Sequence, residues 1–397
     1  MSIDFQSLQN HLFLNPKISQ EQRDFFECAW QSVQTKVHAH IGLVTSGTSG
    51  NSGRQQYGKL VLLSKAAFLN SAKAVNAHLG TSHSDIWFKA LPSFHVGGLS
   101  IYARASLAGA SVYEYGEEKW NAENFFQALS FSRASLSSLV PTQIYDLVRL
   151  GLRAPPDLRA ILIGGAALAT EIYTKAKSLG WHLLPSYGMT ETCSMIACAP
   201  LSTAAYSSGE CPPLKLLPHA KVRLHASGAL EISAPSLLTG YLLGTESDFE
   251  IVNPTYQDQE GKQWFCSEDC AEVSQDELKI LGRSSDFIKI GGESVSLLRL
   301  ENILSAVKLE LKLESQVQLM NKNIDLALLA VPDERLGHRI DLMYTSASNV
   351  EIAELVSKFN QKVLGFEKIR RLHLSTQIPR TELGKLKKHE ALRLIQS

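Results

Sequence analysis

A stretch of hydroxyl and glycine residues runs from Thr45 to Gly53, directly after a short apolar segment. Small residues let backbone N–H groups approach an anion, and hydroxyl groups donate to phosphate oxygens. Ser/Gly-rich stretches are more often flexible surface loops. The strand predicted over Ile41–Val44, immediately before the loop, favours phosphate binding instead. The pattern predicts a phosphate loop made of Thr45, Ser46, Gly47, Thr48, Ser49 and Gly50.

A second phosphate-binding pattern overlaps the first, because Gly53–Lys59 has the spacing GxxxxGK. Leu60 follows it, at the position where a Walker motif has the Ser or Thr that holds magnesium. The residues between the two glycines, Arg54–Tyr57, are also bulky for a phosphate cradle. We therefore interpret this match as chance.

One further polar stretch and one histidine carry groups that could do chemistry. In Ser186–Thr192, Glu191 offers a carboxylate for magnesium and Tyr187 offers a flat ring to a purine. Taken alone, this pattern is as typical of a structural turn as of a binding site. His95 lies between Phe94 and Val96, and a histidine among apolar residues more often belongs to the core than to a catalytic site.

Alternating strand and helix signals must position these residues. Leu158–Ile163 predicts a buried strand, Ala169–Leu179 a helix, and Trp181–Tyr187 the next strand. A strand, a helix and a parallel strand in so few residues form a βαβ unit, and sheets built this way bind ligands at the carboxyl ends of their strands. Gly164-Gly165 and Tyr187-Gly188 both lie at such ends.

The later part of the chain changes character. Short strands are predicted over Lys221–His225 and Ala229–Ser233, and a smaller mixed α/β segment begins near Gly282. The predicted fold class is α/β, with a large domain of βαβ-built sheets and a small mixed α/β C-terminal domain. Ser64 is predicted to cap a helix that ends near Gly80.

Composition and charge exclude several classes of protein. Lys plus Arg and Asp plus Glu both total 39, so no global field attracts nucleic acid or an anionic membrane. The chain begins without a signal-peptide pattern, and no run of about 18 apolar residues exists to span a bilayer. The pairs Cys193/Cys198 and Cys266/Cys270 lack the CxxC spacing typical of zinc sites. We expect a cytoplasmic protein with reduced thiols.

Four segments, in order along the chain, resemble the signature motifs of the adenylate-forming superfamily, which includes acyl–CoA synthetases and luciferases. One such motif is a weak signal, but four in family order between residues 45 and 385 are specific. Three further segments, Leu91–Ser100, Ser138–Gln143 and Ile163–Ala167, resemble the o-succinylbenzoate–CoA ligases of menaquinone synthesis. The four superfamily segments are Thr45–Gly50, Tyr187–Glu191, Gly282–Lys289 and Pro379–Lys385.

This resemblance implies an adenylate-forming enzyme fold with a shortened amino-terminal region. Residues 1–282 would form a large ATP- and acyl-binding domain, and residues 283–397 a small mobile domain. The implied activity is that of an AMP-forming acid–thiol ligase that uses ATP, Mg²⁺ and coenzyme A. The implied substrate is a small carboxylic acid, with o-succinylbenzoate the one indicated.

The resemblance also implies roles for single residues. The phosphate loop would hold the β- and γ-phosphates, and Thr190 with Glu191 would serve phosphate and magnesium. Asp286 would be the hinge between the domains, and Lys385 would contact the reacting carboxylate and the α-phosphate. Adenine would lie between Gly164, Gly165 and Ala166 on one side and Tyr187 and Gly188 on the other, with Asp269 and Arg283 at the ribose.

The acyl pocket is expected to contain His95, Arg104 and Thr142. Within Ser100–Ala110, helical spacing puts Ile101, Leu107 and Ala108 on the face of Arg104. A buried guanidinium needs an anion, which the second carboxylate of o-succinylbenzoate would supply. The alternative is an Arg whose stem lies along the surface with its head in water.

Three departures from the family pattern leave other functions open. Only 44 residues precede the phosphate loop, the loop is extended with Leu60 in place of a usual Gly, and Ser267-Glu268-Asp269 replaces Thr-Gly-Asp. A stand-alone adenylation enzyme would load a carrier protein instead of coenzyme A. A non-catalytic relative would bind ATP without releasing pyrophosphate.

Overall fold

The structure is a computed structural model that describes residues 3–45, 58–116, 120–202, 211–245, 248–314, 324–345, 349–381 and 384–396. The chain divides into two compact units. The first unit contains Met1–Ser267 and Val273–Lys279, and the second contains Glu268–Glu272 and Ile280–Ser397. The predicted roles of residues 1–282 in ATP and acyl binding, and of 283–397 as a mobile domain, stay predictions.

Strands and helices alternate through the first half of the chain. They are β1 (His11–Phe13), α1 (Gln20–Val33), β2 (His40–Thr45), β3 (Lys59–Ser64), α2 (Lys65–Leu79), β4 (Ile86–Lys89), α3 (Val96–Ala108), β5 (Ser111–Glu114), α4 (Ala122–Ser132), β6 (Leu136–Leu139), α5 (Pro141–Arg149), β7 (Ala160–Ile163), α6 (Thr170–Ser178), β8 (Leu183–Met189) and β9 (Ser194–Cys198).

Short strands then follow one another before helices return. They are β10 (Leu214–Leu216), β11 (Lys221–Leu224), β12 (Ala229–Ser233), β13 (Gly240–Thr245), β14 (Asp248–Val252), β15 (Thr255–Gln257), β16 (Gln263–Ser274), β17 (Glu277–Arg283), β18 (Phe287–Ile290) and β19 (Glu293–Ser296). The chain continues with α7 (Leu297–Glu314), β20 (Leu326–Asp333), β21 (Gly337–Tyr344), α8 (Asn349–Gln361), β22 (Ile369–Leu374) and α9 (Lys388–Gln396).

The large sheet has the strand order β11-β12-β16-β17-β10-β9-β8-β7-β6-β4-β5, and β15 pairs with β16. Its strands β5, β4, β6, β7 and β8 are parallel, and β9 returns antiparallel to β8. A smaller sheet has the order β1-β2-β3-β13-β14. The predicted βαβ unit is confirmed as β7, α6 and β8, and the α/β fold class is confirmed with it.

Helices cover both sheets through apolar side chains. Helices α2 and α3 contact the large sheet in a core that includes Val75, Trp87, Ile101 and Leu162. Helix α1 covers the small sheet, where the Trp30 ring packs against Gly42 so closely that a Cβ there would lie 2.8 Å from it. Gly42 is therefore required by the packing of that helix.

The residues before β1 are tied to the first unit by a buried cation. Lys65 is 1% exposed, and its Nζ donates to the backbone oxygens of Asp4 (2.7 Å) and Ser7 (3.1 Å) and to the Ser7 hydroxyl (2.8 Å). Three acceptors satisfy the three protons of an ammonium group. Burial lowers the pKa of Lys65.

The predicted caps of helix α2 are confirmed at Ser64, whose side chain accepts from Ala67 N, and at left-handed Gly80.

The second unit has its own sheet, of order β19-β18-β21-β20, with β22 parallel to β21. Helices α7 and α8 pack on it around residues such as Leu300, Leu342 and Phe359. Within the described residues, no helix is both long and apolar enough to cross a membrane.

An ion pair joins the amino-terminal ends of the parallel strands, just before β4, β6 and β7. Arg159 donates to Asp85 from Nε (2.8 Å) and Nη2 (3.0 Å), and the Ser135 hydroxyl donates to Asp85 Oδ1 (2.7 Å). Burial alone would raise the pKa of Asp85, but these hydrogen bonds outweigh it and lower the pKa to about 2. Because the folded-state pKa lies below the ordinary 3.8, this carboxylate stabilises the fold above that pH and loses its contribution as the pH falls through about 2.

We expect Asp85→Asn to reduce the free energy of unfolding at neutral pH by about 1.5–3 kcal/mol, the range for hydrogen bonds to charged groups. Urea unfolding measures it, and the difference from wild type should shrink as the pH falls from 3.8 towards about 2. Asp157→Asn is the control, since Asp157 pairs with an Arg133 side chain that is 77% exposed. That variant should lose less than about 1 kcal/mol. Equal losses in both variants would contradict the assignment.

Candidate active site

The predicted site residues of the first unit follow neighbouring parallel strands. His95 follows β4, Thr142 follows β6, Gly164–Ala166 follow β7, and Tyr187–Glu191 complete and follow β8. These strands are consecutive in the sheet, with Leu139 paired to Ile163 and Ile163 to Pro185. Since parallel strands end at the same edge, the structure brings these residues to one edge of the sheet.

His95 lies at the start of α3, where the chain turns tightly. A Cβ at Gly98 would lie 2.3 Å from the Leu91 carbonyl oxygen, so the loop before the helix packs directly on its first turn. The His95 ring is half-buried, with its centroid 4.6 Å from that of Phe94. The structure therefore places His95 at the rim of the sheet rather than inside the core.

The loops after β6 and β7 lie against each other. Pro141 begins α5, and Thr142 beside it is exposed. Gly165 has a φ of +83°, and a Cβ there would lie 3.4 Å from Val140 Cγ1. A left-handed conformation in a confined position favours glycine. The loop after β7 thus contacts Val140, two residues before Thr142.

The polar segment after β8 forms a tight hairpin with β9. A Cβ at Gly188 would lie 2.0 Å from the Ser194 carbonyl oxygen, where the pairing of β8 and β9 shifts register. The Thr192 hydroxyl donates to that same oxygen at 2.6 Å. Thr190–Thr192 form one 3-10 turn, which ends at left-handed Cys193. This hairpin sets the position of Glu191.

Glu191 is held from two sides. Its backbone oxygen accepts from Leu238 N at 2.8 Å, and its Oε1 accepts from the Tyr241 hydroxyl at 3.0 Å. Lys59 Nζ lies 4.9 Å from the centroid of the Tyr241 ring. Tyr241 and Lys59 were missed by the sequence analysis. No motif marks Tyr241, whereas Lys59 ends the GxxxxGK match that the sequence analysis interpreted as chance.

The phosphate loop is anchored at its base. Thr45 ends β2 and pairs with Lys59 at the start of β3. Gly58 has a φ of +110°, and a Cβ there would lie 2.6 Å from the Thr45 carbonyl oxygen. The predicted members Ser46, Gly47, Thr48, Ser49 and Gly50 lie outside the described residues.

Arg104 is buried, at 1% exposure, so the surface alternative is wrong. Its Nη2 donates to Ser194 Oγ at 2.9 Å, and its guanidinium lies 5.4 Å from the Trp87 ring centroid. Among the described residues, no carboxylate pairs with it and its buried Nε has no acceptor. Burial lowers the pKa of Arg104 to about 10, which leaves it charged at neutral pH. The side chain thus supplies a buried positive charge close to the β8–β9 hairpin.

The predicted face of α3 is only partly correct. Ile101 is fully buried like Arg104, but Leu107 is 45% exposed. The last turn of α3 lies at the surface, just before the helix ends at left-handed Gly109. Cys193 and Cys198 are both buried, and burial raises the pKa of each thiol.

The second unit contains the other predicted residues. Asp269 pairs with Arg283, with Oδ1 3.5 Å from Nε. Asp286 accepts from Arg283 N at 3.2 Å and forms an ion pair with Lys388 of α9. The structure therefore brings the predicted ribose pair together and fixes the carboxylate of the predicted hinge residue.

Lys385 lies on a turn that is anchored from both ends. Arg380 donates to both oxygens of Asp325, from Nη2 at 2.7 Å and Nε at 2.9 Å. Thr381 N donates to the Lys385 carbonyl oxygen at 2.8 Å, and Gly384 has a φ of +79°. The Lys385 side chain is exposed, while Glu382 and Leu383 lie outside the described residues.

The donor set at Glu191 fits magnesium. Magnesium prefers oxygen ligands and is usually bound by one or two carboxylates together with substrate phosphates. The Tyr241 hydroxyl donates to Glu191 Oε1, and no described residue donates to Glu191 Oε2. In the described part of the chain, His, Cys, Asp and Glu nowhere form a group of three that could hold a metal ion. The described residues therefore fit a site in which the Glu191 carboxylate would hold magnesium together with substrate phosphates.

Comparison with known proteins identifies a sequence family. The family described as AMP-binding enzyme matches residues 36–242, which is more than half of the chain. The chain is 27% identical over 354 residues to 2-succinylbenzoate–CoA ligase of Staphylococcus aureus, covering 87% of the chain and 66% of that protein. It is 26% identical over 363 residues to the ligase of the same name of Enterococcus faecalis, covering 87% and 68%. The chain thus spans about two thirds of the length of these relatives.

Solved structures show the same fold. O-succinylbenzoate coenzyme A synthetase (MenE) from Bacillus subtilis in complex with AMP matches with a TM-score of 0.70 at 22% identity, covering 88% of this chain and 68% of that one. The B. subtilis enzyme in complex with the acyl-adenylate intermediate OSB-AMP matches with a TM-score of 0.74 at 20% identity, covering 96% and 82%. ATP-bound MatB from Rhodopseudomonas palustris matches with a TM-score of 0.68 at 20% identity, covering 90% and 68%.

We expect Gly188→Ala to destabilise the first unit by about 1–3 kcal/mol or more, because the added methyl group overlaps a backbone oxygen that has no room to move. Gly164→Ala is the matched control, since its Cβ would lie 3.5 Å from Ser186 Oγ, an ordinary contact. That change should stay within about 0.5 kcal/mol. Urea unfolding of both variants measures the difference. A Gly188→Ala protein as stable as Gly164→Ala would show that the hairpin does not close as described.

Proposed function

Because the chain belongs to the AMP-binding enzyme family, we propose that it is an ATP-dependent acyl–CoA ligase that activates its acid as an acyl-adenylate. The observation that carries this proposal is that the residues predicted to bind adenine and magnesium lie at one edge of the large sheet. Gly164–Ala166 follow β7, and Tyr187 lies near the end of the adjacent strand β8. Glu191 accepts from the Tyr241 hydroxyl, and the ring of Tyr241 also contacts Lys59. Phosphate binding at strand ends is the general rule for such sheets.

The acid that we propose is o-succinylbenzoate, in a step of menaquinone synthesis in the cytoplasm. The names of the relatives support it, as does Arg104. A buried guanidinium without a carboxylate partner is costly. Only the succinyl carboxylate of this acid is activated, so the ring carboxylate is free to meet that charge. His95 and Thr142, at the same sheet edge, complete the proposed acyl pocket.

Adenylation makes a poor electrophile reactive. A carboxylate oxygen attacks the α-phosphorus of ATP, the bond to the bridging oxygen breaks, and pyrophosphate leaves with that electron pair. The attack joins two anions, so positive charge must lie between them. Lys385 is proposed to contact the carboxylate and the α-phosphate, and Thr45–Gly50 to hold the β- and γ-phosphates. Bound magnesium would offset phosphate charge, with Glu191 and Thr190 as the residues that hold it.

Thioester formation completes the reaction. The coenzyme A thiolate attacks the acyl carbon, the carbon–oxygen bond to phosphate breaks, and AMP leaves with the electron pair. Asp269 with Arg283 is proposed to hold the ribose through both steps. Because one site serves two reactions, we propose that the small unit changes orientation about Asp286. The Asp286–Lys388 ion pair would hold the hinge residue in one of its states.

Two other activities make different predictions. A stand-alone adenylation enzyme would release pyrophosphate with an acid but would transfer the acyl group to a carrier protein. A non-catalytic relative would bind ATP and release no pyrophosphate. The presence of Glu191, Asp269 and Lys385 favours a catalytic protein over the second alternative.

The test is pyrophosphate release across a panel of carboxylic acids, followed by thioester formation with coenzyme A. We expect o-succinylbenzoate to support both. Lys385→Ala should slow pyrophosphate release by about 10²–10³-fold, the usual loss for one preorganised donor to transition-state charge. The variant should still form thioester from supplied acyl-adenylate. Equal losses in the two half-reactions would contradict the role of Lys385, and no pyrophosphate release by wild type would contradict the proposed function.

Arg104→Leu tests the choice of acid. We expect kcat/KM for o-succinylbenzoate to fall by about 10–150-fold relative to wild type, because loss of a charge-assisted hydrogen bond costs about 1.5–3 kcal/mol of transition-state binding. Benzoylpropionate, which lacks the ring carboxylate, is the matched substrate and should be affected far less. Thermal unfolding of the variant checks that the apolar replacement is tolerated. If kcat/KM falls equally for both acids, Arg104 stabilises the fold and does not select the acid.

A further inference from the structure

The carboxylate of Glu191 is positioned by a residue from the other sheet of the first unit. Tyr241 lies in β13, which pairs with β3 in the small sheet, with Tyr241 opposite Val61. Its hydroxyl donates to Glu191 Oε1 at 3.0 Å, and the residue is only 8% exposed. The hydrogen bond joins residues that are 50 positions apart in the chain.

Backbone hydrogen bonds of Leu238 and Thr239, just before β13, also hold Tyr241 near Glu191. Leu238 N donates to the Glu191 carbonyl oxygen at 2.8 Å, and Thr239 N donates to the Leu62 carbonyl oxygen at 2.9 Å. The Thr239 hydroxyl lies 2.8 Å from His40 Nε2. The segment before β13 is therefore fixed to Glu191 on one side and to β2 and β3 on the other. Tyr241 has little freedom to leave the carboxylate.

The ring of Tyr241 also contacts the end of the phosphate loop. Lys59 Nζ lies 4.9 Å from the ring centroid, within the range of a cation–π contact. Lys59 is the first residue of β3, and its backbone pairs with Thr45, where the loop begins. One aromatic side chain thus contacts both the cation at the loop base and the carboxylate of the hairpin.

We propose that Tyr241 is a positioning residue for divalent cation binding at Glu191. The inference rests on the proposed function, since it takes Glu191 to be the carboxylate that meets metal-bound ATP. With Oε1 accepting the hydroxyl proton, the carboxylate offers Oε2 to the cation and has one orientation instead of several. Hydrogen bonds that orient a metal ligand typically contribute about 10–100-fold in metal affinity or activity.

A purely structural role makes a different prediction. Buried tyrosine hydroxyls usually find a hydrogen-bond acceptor, so the contact with Glu191 could serve only to satisfy Tyr241. Loss of the hydroxyl would then lower stability and leave the metal requirement unchanged. The metal requirement of a variant that stays folded therefore separates the two roles.

Tyr241→Phe removes the hydroxyl and keeps the ring beneath Lys59. The matched control is Tyr256→Phe, because Tyr256 also donates to a glutamate carboxylate, that of Glu231, between strands β15 and β12 away from the hairpin. The readout is ATP binding measured by calorimetry at a series of Mg²⁺ concentrations. Binding of Mn²⁺ in the presence of ATP, measured by electron paramagnetic resonance, gives the cation affinity directly.

We expect Tyr241→Phe to need about 10–100-fold more Mg²⁺ for half-maximal ATP binding, and to bind Mn²⁺ more weakly by a similar factor. Saturating Mg²⁺ should restore most of the pyrophosphate release, and Tyr256→Phe should match wild type throughout. An unchanged metal requirement in Tyr241→Phe, or one raised equally in Tyr256→Phe, would overturn the proposal. A variant that does not fold would overturn it too, since the tyrosine would then be a stability residue.

The same titration separates this proposal from the proposed function. A wild-type protein that binds metal–ATP and releases no pyrophosphate with any acid contradicts the ligase activity. The shift in metal requirement between wild type and Tyr241→Phe is still measured in that case, and it supports or overturns the positioning role on its own. A wild-type protein that binds no ATP at any Mg²⁺ concentration contradicts both.

Discussion

The carbonyl oxygen of Ser194 lies where a side chain at position 188 would have to be, so the β8–β9 hairpin closes only around glycine. Strand β8 belongs to the parallel sheet, whereas β9 runs back antiparallel to it. The turn between them carries Thr190 and Glu191 out at the edge where the neighbouring strands end. Every role proposed for Glu191 depends on this close approach of two backbones.

The predicted site residues of the first unit lie on loops and strand ends of two sheets. The large sheet contributes the loops after β4, β6, β7 and β8, and the small sheet contributes the base of the phosphate loop. Leu238 and Tyr241 join the sheets through Glu191. Arg104 adds a buried positive charge against Ser194, on the same hairpin. In the proposed function, the second carboxylate of the acid would pair with this arginine while the first is activated.

Local patterns in the sequence predict the strands and the loops, but they do not predict contacts between residues that are far apart in the chain. Apolar runs stopped by glycine gave β7, α6 and β8, because strand and helix periods and turn residues are local properties. The burial of Arg104 could not be decided, since helical spacing alone does not show how far a helix lies over a sheet, and Leu107 was misplaced for the same reason. Tyr241 reaches Glu191 only through the pairing of β13 with β3, which no nearby residue indicates.

The proposed function requires that the acid is activated by forming an anhydride with AMP. Transfer of oxygen-18 measures this step: the protein is incubated with ATP, magnesium, coenzyme A and o-succinylbenzoate whose succinyl carboxylate carries the label. If the carboxylate attacks the α-phosphorus, AMP released by the thiol retains one labelled oxygen, which mass spectrometry of the nucleotide detects. Thioester formed together with unlabelled AMP, or label found in phosphate or pyrophosphate instead, would contradict the account.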